Sequence, residues 1–157
     1  PPAGVELRYV IADPGSWLYF DPVRPVMQGD GFVMAEPTEA CPGYNAWKYG
    51  TDGLPAWLPG DARTARARYI AARVDYLEGG LDSSAGKGAF YPVLDKSCAA
   101  MLQGPFRLQR GLGYAAYERE LLKPEKPRRM LVAAGCGHRV ECVLASVEGR
   151  ALLFEQP

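Results

Sequence analysis

A β-rich α+β domain is what this sequence predicts, on three observations. Short apolar runs alternate with polar residues near the N-terminus, three more β-rich runs at hairpin spacing close the chain, and one long helical stripe lies between them. The arrangement expected is antiparallel sheet with a C-terminal β-meander and one or two short helices.

Residues 5–11, VELRYVI, place Val5, Leu7, Tyr9 and Ile11 on one face, the period-two pattern of a half-buried strand. A turn at Pro14-Gly15 leads to SWLYF, read as a second strand. Residues 23–36 hold two apolar runs around Gly29-Asp30-Gly31, which tolerate the positive φ of a hairpin turn. Between residues 36 and 59, Pro37, Pro42, Pro55 and Pro59 exclude a helix or central strand and predict an ordered loop carrying Tyr44, Trp47, Tyr49 and Trp57.

Asp61 then stands at an N-cap position and Gly79 where a helix C-terminus would place a glycine. Ala67, Ile70, Ala71, Val74 and Leu77 share one stripe, which predicts a helix over 62–77. Tyr69, Val74 and Tyr76 suit a β surface equally, so a strand is the alternative. AFYPVL reads as an edge strand because of Pro92, DKSCAAMLQG as a short helix capped by Asp95, and residues 105–110 as a strand. GYAAYERELLK fits either state. RMLVAAG, HRVECVLASV and RALLFE form the meander, with turns near 136–139 and at Glu148-Gly149.

A chain of 157 residues fits one domain, 1–157, and 48% hydrophobic with 23% charged residues is the composition of a folded globular protein. Eighteen basic and eighteen acidic side chains cancel, which argues against nucleic acid or an anionic membrane surface as partner. No apolar run approaches the roughly 18 residues of a membrane span. Cys41, Cys98, Cys136 and Cys142 are even in number and form no CxxC. They permit three pairings, of which a Cys136–Cys142 bridge within a turn and a Cys41–Cys98 staple are the simplest; four buried free thiols are the alternative. Disulfides, with the absence of an initiator methionine, predict a periplasmic or secreted protein whose signal peptide has been removed.

The stretch GGLDSSAGKGAF at 79–90 invites a phosphate-loop reading and fails it: Gly86-Lys87 is followed by Gly88 rather than Ser or Thr, and Leu81 stands where the first glycine belongs. The one histidine, His138, lies in a turn whose cysteines a disulfide would use, so it reads as an exposed turn residue and no metal site is expected. No cofactor and no catalytic residue is assigned. Acids near aromatics (Asp21, Asp30, Glu36, Asp52, Asp61, Asp75, Asp82) leave a carbohydrate-active enzyme or sugar-binding module as the alternative function. The 79–90 loop reads instead as a binding loop, with glycines that let its backbone approach another surface and with Asp82, Ser83, Ser84 and Lys87 as short polar contacts.

An exported, disulfide-containing, β-rich protein of this size with the loop Leu81 to Gly88 resembles the periplasmic immunity proteins that bind type VI secretion effectors attacking peptidoglycan. The resemblance implies a non-enzymatic inhibitor that occludes the cleft of a cognate toxin or hydrolase, such as an amidase, with that loop. Ser83 or Ser84 would enter the cleft and Tyr44, Trp47 and Trp57 would anchor the interface.

Overall fold

The computed structural model describes residues 3–37, 41–86 and 88–154. In chain order its strands and α-helices are β1 (Arg8–Ala12), β2 (Arg24–Gln28), β3 (Gly31–Ala35), α1 (Ala62–Ala71), β4 (Arg73–Gly79), α2 (Cys98–Met101), α3 (Arg107–Tyr117), which runs on into a π-helical turn at Glu118–Leu122, β5 (Met130–Ala133), α4 (Val140–Ala145) and α5 (Val147–Phe154). The protein is a mixed α and β structure with two small sheets, one of them antiparallel.

The antiparallel sheet is the expected hairpin, β2 paired with β3 and Gln28 opposite Gly31 across the two-residue Gly29-Asp30 turn. Gly29 takes φ +59° there. SWLYF forms no strand; Trp17 and Tyr19 are buried core residues, and the Gln103 side-chain amide bonds the Trp17 backbone through both N–H and C=O. From residue 41 to 59 the proline-rich segment is irregular as expected, and it is tied to α2 by the Cys41–Cys98 disulfide.

The second sheet is parallel, in the order β1-β4-β5. This replaces the expected C-terminal meander. Only RMLVAAG contributes a strand, while the two runs after it are the helices α4 and α5. Val140, Val143 and Val147 favoured a strand locally, but burial decided otherwise: Val143 and Leu152 are fully buried together with Leu77 of β4. Ser146 separates the two helices and caps the second, its Oγ accepting the Gly149 N–H at 2.9 Å.

The 62–77 segment divides. Asp61 does cap α1, accepting the Thr64 N–H at 2.7 Å. The helix ends at Ala71, and Gly79 is the last residue of β4 rather than a helix stop. Six of the seven β4 residues are buried, because this strand is central and covered on both faces, so it lacks the in-out alternation that marks a half-exposed strand. The expected strands at 89–94 and 105–110 are likewise absent: the first holds a 3-10 turn at Tyr91–Val93 and the second opens α3. Ser97 rather than Asp95 caps α2, accepting the Ala100 N–H.

Alternate β4 side chains meet different layers. Val74 and Tyr76 join Trp17, Tyr114 and Tyr117, with Trp17 stacked on Tyr114 at 4.5 Å between centroids. Glu78 points to the same layer, against Gly111 of α3. Leu77 faces the opposite way, toward Val143 and Leu152. The parallel sheet is thus sandwiched between α3 and the α4–α5 pair, and its strands all end on one side.

Candidate functional site

In parallel sheets covered by helices, functional groups collect beyond the carboxyl ends of the strands, where the backbone turns away and leaves a crevice. Here each strand end delivers one side chain of acid–base chemistry. Asp13 follows β1, Asp82 lies three residues past β4, and His138 lies five past β5. One ligand-type atom from each falls within 4.8 Å of the others.

Asp82 is the anchor of the group. Its side chain is 2% exposed and pairs with the equally buried Arg107 of α3, whose Nη1 is 3.2 Å from Oδ1. The same Nη1 donates to the Ala89 carbonyl at 2.7 Å, and the Leu108 N–H donates to the Asp82 carbonyl at 3.2 Å. The first turn of α3 therefore fixes the Asp82 loop. Its other oxygen, Oδ2, lies 3.0 Å from Nδ1 of His138. The imidazole is about one-third exposed and is turned so that its N–H is off the line to that oxygen, an alignment that in unliganded active sites commonly tightens only with substrate.

Two close backbone approaches bring the Asp82 and His138 loops together. A Cβ on Gly79 would sit 2.5 Å from the Gly137 carbonyl oxygen, and one on Gly137 would sit 2.6 Å from that of Gly88, so neither position has room for a side chain. The loops are stitched by Leu81 N–H to the Cys136 carbonyl at 2.8 Å and His138 N–H to the Gly88 carbonyl at 3.0 Å. The Cys136–Cys142 disulfide closes the loop that carries His138. Both expected cysteine pairings are thus present.

Asp13 closes the third side. Its Oδ1 accepts the Gly79 N–H at 2.8 Å and its own N–H donates to the Leu77 carbonyl, so it is held against the end of β4. Beneath the group, Glu78 is fully buried with neither carboxylate oxygen hydrogen-bonded. Burial, and then the charges of Asp13 and Asp82, push its carboxyl up to about 9, so at neutral pH it carries a proton. Burial raises the Asp13 carboxyl as well, against the opposing effects of the Gly79 N–H and His138.

The expected binding residues are dispersed by comparison. Asp82 does not project to a partner; it is interior and paired. Ser83 is half-buried, its hydroxyl donating to the Gly80 carbonyl, and Ser84 is exposed with Oγ accepting the Gly86 N–H. Lys87 lies outside the described residues. Trp47 and Trp57 are exposed, by 40% and 72%, and meet edge to face at 6.0 Å, while the Tyr44 hydroxyl donates to the Pro22 carbonyl. The sequence reads His138 as an exposed turn residue with no site role, and it does not point to Asp13. The signal available was position: each follows a short apolar run that becomes a parallel strand.

Comparison with known proteins finds no matching family model and no curated protein. Among solved structures, the chain is similar to poly(aspartic acid) hydrolase-1 from Sphingomonas sp. KT-1, with 23% identity and a TM-score of 0.54 over 84% of this chain and 40% of that one. It also matches the poly(3-hydroxybutyrate) depolymerase LpqC from Bordetella parapertussis, with 20% identity and a TM-score of 0.47 over 82% of this chain and 35% of that one. The first likeness is one of fold. The chain spans less than half the length of either protein. Among the described residues no helix is long and apolar enough to cross a membrane.

Proposed function

We propose that this chain carries the acid–base half of a hydrolase site, with His138 as general base and acid and Asp82 as its orienting carboxylate. The observation that carries the reading is the buried Asp82, locked by Arg107, presenting its second oxygen 3.0 Å from Nδ1 of the chain's single histidine. With the ring turned into line, Asp82 holds the proton on Nδ1 and leaves Nε2 to act. Nε2 takes the proton of a hydroxyl or water as it adds to an acyl carbonyl, then returns that proton to the departing group, while Asp82 stabilises the imidazolium formed between the two steps. The chain order, acid before histidine, is the order in which α/β-hydrolases supply these two residues after their nucleophile.

The His138 backbone N–H is held by the Gly88 carbonyl, and its ring meets Phe90 edge to face at 6.2 Å. The fold likeness to a protein described as a hydrolase supports the reading by analogy. Two disulfides favour an oxidising compartment, the periplasm or the cell exterior.

The test is turnover of an activated acyl ester and of an aspartyl polymer by the protein and by its His138→Ala variant. A loss of kcat of about 10³-fold or more is expected; equal turnover by the variant, or none by the parent, overturns the reading. Occlusion of a foreign hydrolase is a second reading, favoured by the exposed Trp47–Trp57 pair and the surface Ser84. It predicts stoichiometric inhibition of a purified peptidoglycan amidase that is lost in a Trp47→Ala, Trp57→Ala variant.

A further inference from the structure

We propose that Asp13 is a positioning residue for His138, a second carboxylate that shares with Asp82 the task of holding the imidazole and balancing its charge. This rests on the hydrolase reading for its purpose, but not for its geometry.

Four observations carry it. A carboxylate oxygen of Asp13 lies within 4.8 Å of both the imidazole and the Asp82 carboxylate, although the residues come from three different strand ends. Asp13 is only 7% exposed, so it faces the interior of the site rather than water. Oδ1 is anchored on the Gly79 N–H, yet Oδ2 is buried with no hydrogen-bond partner, an orphan that costs stability and so calls for a role. Finally, Asp13 adopts φ +46°, a left-handed conformation uncommon for a residue other than glycine and found disproportionately at functional sites.

Charge balance says what Asp13 adds. Asp82 divides its charge between Arg107, 3.2 Å from Oδ1, and the imidazole, 3.0 Å from Oδ2. Glu78 carries a proton at neutral pH. Asp13 is then the carboxylate of the group with no cation of its own, and the imidazolium that forms when His138 accepts a proton supplies one. The His138 N–H is off the line to Asp82, so the ring must turn to bond a carboxylate, and Asp13 lies within 4.8 Å of it as Asp82 does.

The chain's single histidine makes the test direct, since ¹⁵N-histidine labelling yields one imidazole whose Nδ1-bound proton is observable at low field. The variants are Asp13→Asn, Asp82→Asn and the double substitution. Asparagine tolerates a left-handed φ and keeps an oxygen for the Gly79 N–H, so Asp13→Asn preserves the fold, which amide dispersion checks. The signal is expected to shift in Asp13→Asn, to persist in Asp82→Asn as the ring turns to Asp13, and to vanish only in the double variant. Turnover should fall by less than about 100-fold in Asp82→Asn, where a site with one acid loses about 10⁴. Disappearance of the signal in Asp82→Asn alone, or an unchanged signal in Asp13→Asn, overturns the proposal. A parent that shows the expected resonances but no turnover sinks the hydrolase reading and leaves the two-carboxylate geometry standing.

Discussion

Replacing Glu78 by Gln changes one atom at the floor of the candidate site and makes the sharpest test of its electrostatics. Glu78 is fully buried and neither oxygen has a hydrogen-bond partner, so the substitution removes an ionisable group without removing a bond. Its carboxyl rises from 4.5 to about 9 on folding. An acid whose pKa is raised in the folded state keeps a proton that the unfolded chain has released. Its contribution to stability is therefore complete below the unfolded value and is lost as pH climbs toward the folded one. Each pH unit within that window is worth about 1.4 kcal/mol. Between pH 5 and pH 7 the parent should lose about 2–3 kcal/mol that Glu78→Gln does not, and at pH 7 the variant should be the more stable protein. Urea denaturation of both proteins at the two pH values measures this as a difference of differences, in which the other titrating groups cancel. A stability gap that stays constant across the range would refute the reasoning, because it would mean that Glu78 ionises in the folded state much as it does in the unfolded one.

Two further substitutions probe what holds the site. Arg107→Met strips Asp82 of its buried partner while keeping much of the side-chain volume; it should destabilise by about 3–5 kcal/mol in chemical denaturation, the cost of an uncompensated buried charge. Replacing Cys136 and Cys142 by Ser opens a loop of sequence separation 6 and should cost about 2 kcal/mol by loop entropy. Because that loop carries His138, turnover should fall more steeply than stability, and the same should be seen when the parent is assayed under reducing conditions.

Local features were legible wherever a few neighbouring residues decide the outcome. Gly29-Asp30 set the hairpin because its turn conformation is a property of those residues alone, and Asp61 caps α1 through a hydrogen bond that spans three positions. The Cys136–Cys142 bridge followed from proximity in the chain. Legibility failed where burial overrode local preference. β4 read as the tail of a helix because a central strand has no exposed face, and α4 and α5 read as strands because their valines prefer sheet until packing against Leu77 selects helix.

The candidate site shows the same division. Sequence determined the ingredients: one histidine, a carboxylate in a glycine-rich stretch, cysteines spaced to close a loop, and glycines where backbones cross. It drew attention to 79–90 for the freedom of its glycines, whereas the structure uses Gly79 for its lack of a side chain, to let the Asp82 loop lie against the His138 loop. Only the tertiary structure decided that Asp13, Asp82 and His138 meet. Residues so far apart in the chain become neighbours because β1, β4 and β5 run parallel and end on the same side. That adjacency is a property of strand order, set by the layers of α3 and α4–α5 across the sheet, and no local stretch of sequence encodes it.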